Sequence, residues 1–324
     1  MDRRQFLAAV AAGSAAAASP FAMAQDWPAN PVRWVVPYPP GGGTDVLART
    51  VAESMRKTLN QTIVVDNRPG ASTNIGGQMV ASAKPDGYTI MSADNAILAY
   101  NEHLFSKLPF NPDKDFTYVG GISRFPMALV VNPAFEAKDF KEFLAYAKAN
   151  PGKLNYASPG NGSPHHLAME MFKHRTKTFL THIPYRGAAP ALQDVMGGQV
   201  PCMFLDLAAG LPVITSGKVR ALAIGSAKRV AALPDVPTLA EAGVPNTEVF
   251  AFQGILAPAG LPAAITTRLN TDLNKALLNP AVVKRMNDFG MEALPGTPEQ
   301  FRAMARAESK RWGEIIKAAG VKLD

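Results

Sequence analysis

Three stretches of the sequence join glycine, a small hydroxyl residue and the start of a helix, a combination suited to holding an anion. In the first, Pro37-Tyr38-Pro39-Pro40-Gly41-Gly42-Gly43-Thr44-Asp45 separates an apolar strand-like run from a segment with Leu47, Val51 and Met55 on one helical face. Glycines let the main chain approach a ligand closely. The first N–H groups of a helix have no partner inside it and act as donors. An anion there gains from the donors and from the helix dipole, and a hydrogen bond to a charged group is worth about 1.5–3 kcal/mol. The candidate binding residues here are Tyr38, Gly42, Gly43, Thr44 and Asp45. Thr44 or Asp45 can cap the helix, and Asp45 can either repel a second carboxylate or accept from an amine or a bridging water.

The second stretch, Tyr156-Ala157-Ser158-Pro159-Gly160-Asn161-Gly162-Ser163-Pro164-His165-His166, has the same grammar. Ser163 suits an N-cap and Pro164 the first helical position. Ser163 is a candidate, with capping and ligand contact compatible there; Ser158 and Asn161 share its loop. The third stretch runs from Asp66 to Asn74, and its Ser72 and Thr73 either face a cleft or cap. Ligands in open α/β sheets sit beyond the carboxyl ends of strands. That places Asn95, after Ser92-Ala93-Asp94, and Asp206, after Phe204, among the candidates. Arg186 stands at another strand end, where it can pair with a carboxylate or simply be exposed.

Several chemistries do not fit. GxxxxGK[ST] and GxGxxG are absent, against a phosphate loop and a dinucleotide fingerprint. Ser158 and Ser163 are not in a G-x-S-x-G elbow, and nothing in the sequence orders a serine with His165, His166 or His182 into a triad. Adjacent histidines on a helix point apart, the wrong spacing for a metal chelate. Cys202 is the only cysteine, in an apolar run, and reads as a buried inert thiol. The formal net charge is +7, yet the basic residues are scattered without an aromatic-interleaved patch, which argues against nucleic acid. No enzymatic activity, cofactor or metal is expected.

The elements that must position these loops alternate between strand and helix, as in an α/β fold. Strands are expected near 31–37, 62–65, 88–91, 128–131, 153–157, 181–184, 200–204, 219–224 and 252–257. Helices are expected near 46–59, 75–83, 140–149, 165–173, 189–196, 264–278, 281–289 and 298–318. No strand is expected after the last helices begin, so they must pack on the first sheet. This makes a discontinuous domain of 25–125 plus 250–324, with 126–249 inserted as a second domain. The chain then crosses twice, near Phe125–Val131 and Val249–Gly254, and two crossings make a hinge that can close on a ligand. Residues 1–24 read as an export signal: Arg3-Arg4 followed by Phe6-Leu7, an alanine-rich run, and Ala22-Met23-Ala24 as a cleavage site. The arginine pair suggests the twin-arginine route to the periplasm.

The segments Pro37–Asp45, Asp66–Gly76, Lys84–Thr89, Pro184–Gly187, Asp194–Phe204, Ser226–Gly243 and Leu256–Pro262 occur in an order that resembles the substrate receptors of tripartite tricarboxylate transporters, the Bug receptors. The resemblance covers nearly the whole chain after the signal. It implies a type II periplasmic-binding-protein fold: two α/β domains around a ligand cleft with a two-crossing hinge. It also implies a carboxylate held by the two glycine-rich loops, partly through ordered water, with Gly42, Gly43, Thr44 and Asp45 matching the family's first loop and Ser158, Asn161 and Ser163 its second. The ligand would be a small organic acid (a di- or tricarboxylate, an aromatic acid or an acidic amino acid). The partners would be the permease subunits of the transporter, the receptor itself acting as a monomer. Leu205-Asp206 stands where the family usually has Asp-Asn, and Phe252 where it often has Trp, which bears on ligand choice. A same-fold receptor serving a signalling ectodomain and a secreted hydrolase are the alternative readings.

Overall fold

The structure, a computed structural model, describes residues 27–288 and 290–324; the expected export signal lies outside them, as does Phe289. In chain order the strands are β1 (Val32–Val36), β2 (Ile63–Asn67), β3 (Thr89–Asp94), β4 (Phe116–Val131), β5 (Asn155–Ser158), β6 (Thr181–Pro184), β7 (Cys202–Asp206), β8 (Arg220–Ile224), β9 (Phe250–Pro258) and β10 (Glu292–Ala293). The helices are α1 (Gly43–Leu59), α2 (Asn74–Ala81), α3 (Asn101–Leu104), α4 (Phe140–Ala149), α5 (Pro164–Thr176), α6 (Ala188–Met196), α7 (Leu207–Thr215), α8 (Ala263–Leu277), α9 (Pro280–Asp288) and α10 (Pro298–Ala319). A π-helical turn, Ala96–Tyr100, leads into α3.

Two sheets share one strand. The first runs β2-β1-β3-β9-β4, with β1 parallel to β2 and β3, and β9 antiparallel to both neighbours. The second runs β4-β7-β5-β6, with β8 also antiparallel to β4. Strand β4 pairs with β9 from Phe116 to Pro126 and with β7 from Met127 to Val131.

The helical spacing of Leu47, Val51, Met55 and Leu59 buries one face of α1 against Val32, Trp34 and Val36 of β1 and Leu269, Leu273 and Leu277 of α8. On the second sheet, Val195 of α6 and Leu211 of α7 pack with Val130, Met203 and Leu205. A third cluster joins the two halves, with Tyr100, Phe252 and Trp312 continuous with Phe172 and Phe204. Tyr100 and Trp312 meet edge-on at 4.9 Å, the geometry the ring quadrupoles favour.

Two expectations need correction. Strand β4 begins twelve residues earlier than 128, and its first part holds Gly120-Gly121. A Cβ on Gly121 would lie 3.0 Å from Leu294 Cβ, and one on Gly254 of β9 only 2.0 Å from Phe301 Cζ. These glycines let helices and loops press onto the sheet, and the same glycines disguise the strand. Second, a strand does follow the last helices' start: β10 pairs with Ser123 and Arg124 of β4. Cys202 is buried, as its apolar setting implied. No helix among the described residues is long and apolar enough to cross a membrane.

Candidate functional site

Four helices begin at one cavity of about 80 Å³ between the two sheets. The first turn of α1 (Gly43, Thr44) comes from one side; those of α5 (Pro164, His165) and α6 (Ala188 to Pro190), with the N-cap of α7 (Asp206), come from the other. The apolar walls include Pro39, Pro159, Phe125 and Ala251.

The four termini differ in how their first amides are satisfied. Ser163 accepts from His166 N, and Asp206 accepts from Ala209 N, so α5 and α7 carry side-chain caps. The N-caps of α1 and α6 are Gly42 and Gly187, which offer no side-chain acceptor. The two helix ends left for an external acceptor are therefore those of α1 and α6, one from each side. Gly187 adopts φ +118°, which an L side chain rarely tolerates. Across the cavity, a Cβ on Gly43 would lie 3.3 Å from Asp206 Oδ1, so the two sides are close together here.

The candidate residues divide into three groups. Tyr38, Gly42, Gly43, Thr44, Ser163 and Asp206 line the cavity. Ser72, Thr73 and Asn161 line an adjoining groove of about 450 Å³ that shares Tyr38, Ser163 and Arg186 with it. There the Ser72 hydroxyl donates to the Asn161 carbonyl at 2.8 Å, tying the two sides together. Ala71, Ser72 and Thr73 all have positive φ, an uncommon run for residues with a Cβ; Asn101 braces it by donating to Ser72 O and Asn74 Oδ1, each at 2.8 Å.

Asp45, Asn95 and Ser158 lie behind the cavity wall and have supporting contacts instead. Asp45 sits in the first turn of α1, not at its cap; its carboxylate accepts from Gly41 N at 3.0 Å and pairs with Arg49 at 2.9 Å. Burial would raise its pKa, but Arg49, the Gly41 amide and Asn67 hold it below the ordinary aspartate value. Thr44 does not cap α1 either; its hydroxyl accepts from Gln253 Nε2 at 3.0 Å. Asn95 accepts from Phe252 N at 2.8 Å and donates to Phe250 O at 3.2 Å, fastening β9. Ser158 is buried, with its Oγ 2.6 Å from His182 Nε2.

That serine–histidine contact was not legible in the sequence. His182 stacks between Tyr156 and His166 at 4.8 and 4.1 Å. Burial, reinforced by Lys173, pushes His166 down to about 4; burial, reinforced by His166, pushes His182 down to about 3. Neutral His166 accepts from Gly162 N at 3.1 Å, so the stack holds the loop 160–163 in place. His165 points the other way, with Nε2 3.0 Å from Asp206 Oδ2.

Sequence reasoning left out three contributors to the cavity: Gln253, His165 and the start of α6. Gln253 is a lone amide in the apolar run of β9, a visible signal. Gly187-Ala188-Ala189-Pro190 follows β6 with the same strand–glycine–helix grammar as the other loops. Burial raises Asp94 to about 6, although the Tyr38 hydroxyl (2.6 Å) and the Ala96 amide (3.1 Å) both donate to it. Arg186, exposed at the mouth, touches both the cavity and the groove.

Two α/β halves that share a strand and enclose a cavity ringed by helix N-termini define the two-domain fold of periplasmic binding proteins. MatC from Rhodopseudomonas palustris, solved with bound malate, superposes with a TM-score of 0.84 at 35% identity over 90% of this chain and 100% of that one. A second R. palustris protein, solved with adipate, gives a TM-score of 0.88 at 36% identity over 92% of this chain and 99% of its own. Protein BugT of Bordetella pertussis is 37% identical over 301 residues, covering 93% of this chain and 92% of that protein. The sequence profile of the tripartite tricarboxylate transporter family receptors matches residues 47–321. The chain belongs to that family, and is a solute receptor of a tripartite transporter; receptors of this family are periplasmic.

Proposed function

We propose that this receptor captures a small organic carboxylate in the cleft between its halves and delivers it to the transporter's membrane permease. The observation that carries the reading is the pair of helix ends without side-chain caps, α1 and α6, converging on one cavity from opposite sides. A carboxylate there accepts from both and favours the closed arrangement, since a ligand shifts an equilibrium by its differential affinity for the two states. Gly42, Gly43 and Thr44 would supply one set of donors and Ala188 and Ala189 the other, the Gly187 amide being held by the Pro159 carbonyl, with Tyr38, Ser163 and Asp206 shaping the wall. Malate in MatC and adipate in the second R. palustris protein support an acid as the cargo.

In this reading residues 25–125 plus 250–324 form one domain and 126–249 the other, with a hinge where the chain crosses. The protein reaches the periplasm through the signal at 1–24 by the twin-arginine route, works as a monomer, and uses no cofactor. It catalyses nothing: Ser158 is too buried to meet a substrate, and no acid among the described residues is seen to orient His182. The test is a thermal-shift screen of the mature protein against mono-, di- and tricarboxylates, aromatic acids and acidic amino acids, confirmed by titration. At 100 times its Kd a ligand adds about 2.7 kcal/mol of stability. A saturable shift confined to acids is expected; absence of any shift, in protein refolded free of carried-over ligand, refutes the carboxylate reading.

A further inference from the structure

Two buried polar atoms at the cavity have no hydrogen-bond partner: Gln253 Oε1 and His165 Nδ1. Both side chains line the cavity, and they are only 2% and 8% exposed. Buried acceptors left unpaired are costly, and each such group in a folded protein needs an explanation. Gln253 lies in β9, and its Nε2 donates to Thr44 Oγ1 at 3.0 Å. This places its carbonyl oxygen beside the first turn of α1, where the carboxylate reading puts the acid. His165 keeps a proton on Nε2 for Asp206, so in the neutral ring Nδ1 presents a lone pair.

The cavity thus joins donors for an anion, at the helix ends, to acceptors that need a proton from the ligand. An ionised carboxylate has none to give, so the donor must sit on a neighbouring atom. Both buried carboxylates are already engaged: Asp94 by Tyr38 and Ala96 N, Asp206 by Ala209 N and His165. A neutral hydroxyl needs only one acceptor, whereas an ammonium brings three protons that must all be met.

We propose that Gln253 is a specificity-determining residue whose Oε1 accepts from a hydroxyl on the carbon next to the bound carboxylate, making this a receptor for 2-hydroxy acids. The proposal rests on the carboxylate reading of the cleft. A site built to hydrogen-bond a hydroxyl discriminates strongly against the analogue that lacks it, because its own buried group is then unpaired.

The experiment is calorimetric titration of the mature protein with matched acids: succinate, malate and aspartate; adipate and 2-hydroxyadipate; phenylacetate and mandelate. In the series that binds, the hydroxy acid is expected to bind at least about tenfold tighter than the plain acid. Gln253→Met should bring the pair within about twofold, while Gln253→Glu, which keeps an acceptor, should retain the order of preference. Because the readout is a ratio within each variant, a general loss of affinity or stability does not imitate it. Equal affinities in the wild type overturn the proposal and leave the carboxylate reading standing. Aspartate binding tighter than malate overturns the hydroxyl assignment, and a preference that survives in Gln253→Met removes Gln253 from the role. Binding of none of these acids overturns this inference, and the carboxylate reading then stands or falls with the wider thermal-shift screen.

Discussion

Replacing Asp94 by Asn should make the protein more stable at neutral pH and leave it unchanged in acid. Burial raises the Asp94 pKa from 3.8 to about 6. Between those values the folded state keeps a proton that the unfolded chain has lost, so this contribution to stability falls as pH rises. Above about pH 6 the buried charge costs about 3 kcal/mol, at about 1.36 kcal/mol per pH unit of displacement. Asparagine removes the charge and fits the geometry: its oxygen can accept from Ala96 N, and its amide can donate to the Tyr38 oxygen if that hydroxyl turns. The wild-type profile alone does not reveal the effect, because His166 and His182 act in the opposite sense. Their depressed pKa values supply stability that is present above about 6.5 and is lost as pH falls toward 4 and 3. The difference between variant and wild type isolates Asp94. Calorimetric melting of ligand-free protein at about pH 4, 5, 6 and 7 should show a gap that opens with pH, by about 2–4 °C of Tm per kcal/mol. A gap that stays constant from pH 4 to 7 refutes the reasoning, since a constant offset reports lost contacts and not a raised pKa.

Gly43→Val should weaken acid binding by more than about tenfold with little change in the melting of free protein, because its Cβ would crowd Asp206 and Ala208 across the cleft; undiminished affinity in titration would contradict close main-chain approach. Ser72→Ala removes the hydroxyl that bridges to the Asn161 carbonyl, a bond worth about 0.5–1.5 kcal/mol, and should raise the ligand dissociation rate in stopped-flow by roughly two- to tenfold. Ser163→Ala removes the cap of α5 and should lower stability by about 1 kcal/mol, read as a fall in Tm. Burial pushes the Cys202 thiol pKa up, so a thiol reagent should label it only as fast as the protein unfolds, as denaturant-dependent labelling would show.

The periodicity of Leu47, Val51, Met55 and Leu59 and the apolar runs of β1, β3 and β7 carry most of the fold on their own. Strand β4 escaped because glycine weakens a strand signal while, in three dimensions, Gly120 and Gly121 are what let α8 and Phe301 approach. The π-helical turn at Ala96–Tyr100 escaped because an apolar run has no periodicity to read. At the candidate site, strand–glycine–helix grammar pointed to the loops before α1 and α5. It did not reveal that Ser163 already satisfies α5 whereas Gly187 leaves α6 without a side-chain cap. Asp45 and Asn95 looked like cleft residues because they follow strand ends closely; which way they turn is decided by Arg49 for the first and, for the second, by Phe250 and Phe252 of β9, 155 and 157 residues further along the chain.

Strand β4 changes partners between Pro126 and Met127 without breaking. The two sheets are therefore joined by a continuous ribbon of main chain, and no loosely linked loop separates them at that point. Any rotation of one sheet against the other has to be taken up as extra twist along this ribbon and where β9 begins at Phe250. Strands resist twist elastically about a preferred right-handed value. Mechanically the connection is a torsion bar: its swing is limited, and it stores a restoring torque when the halves are displaced.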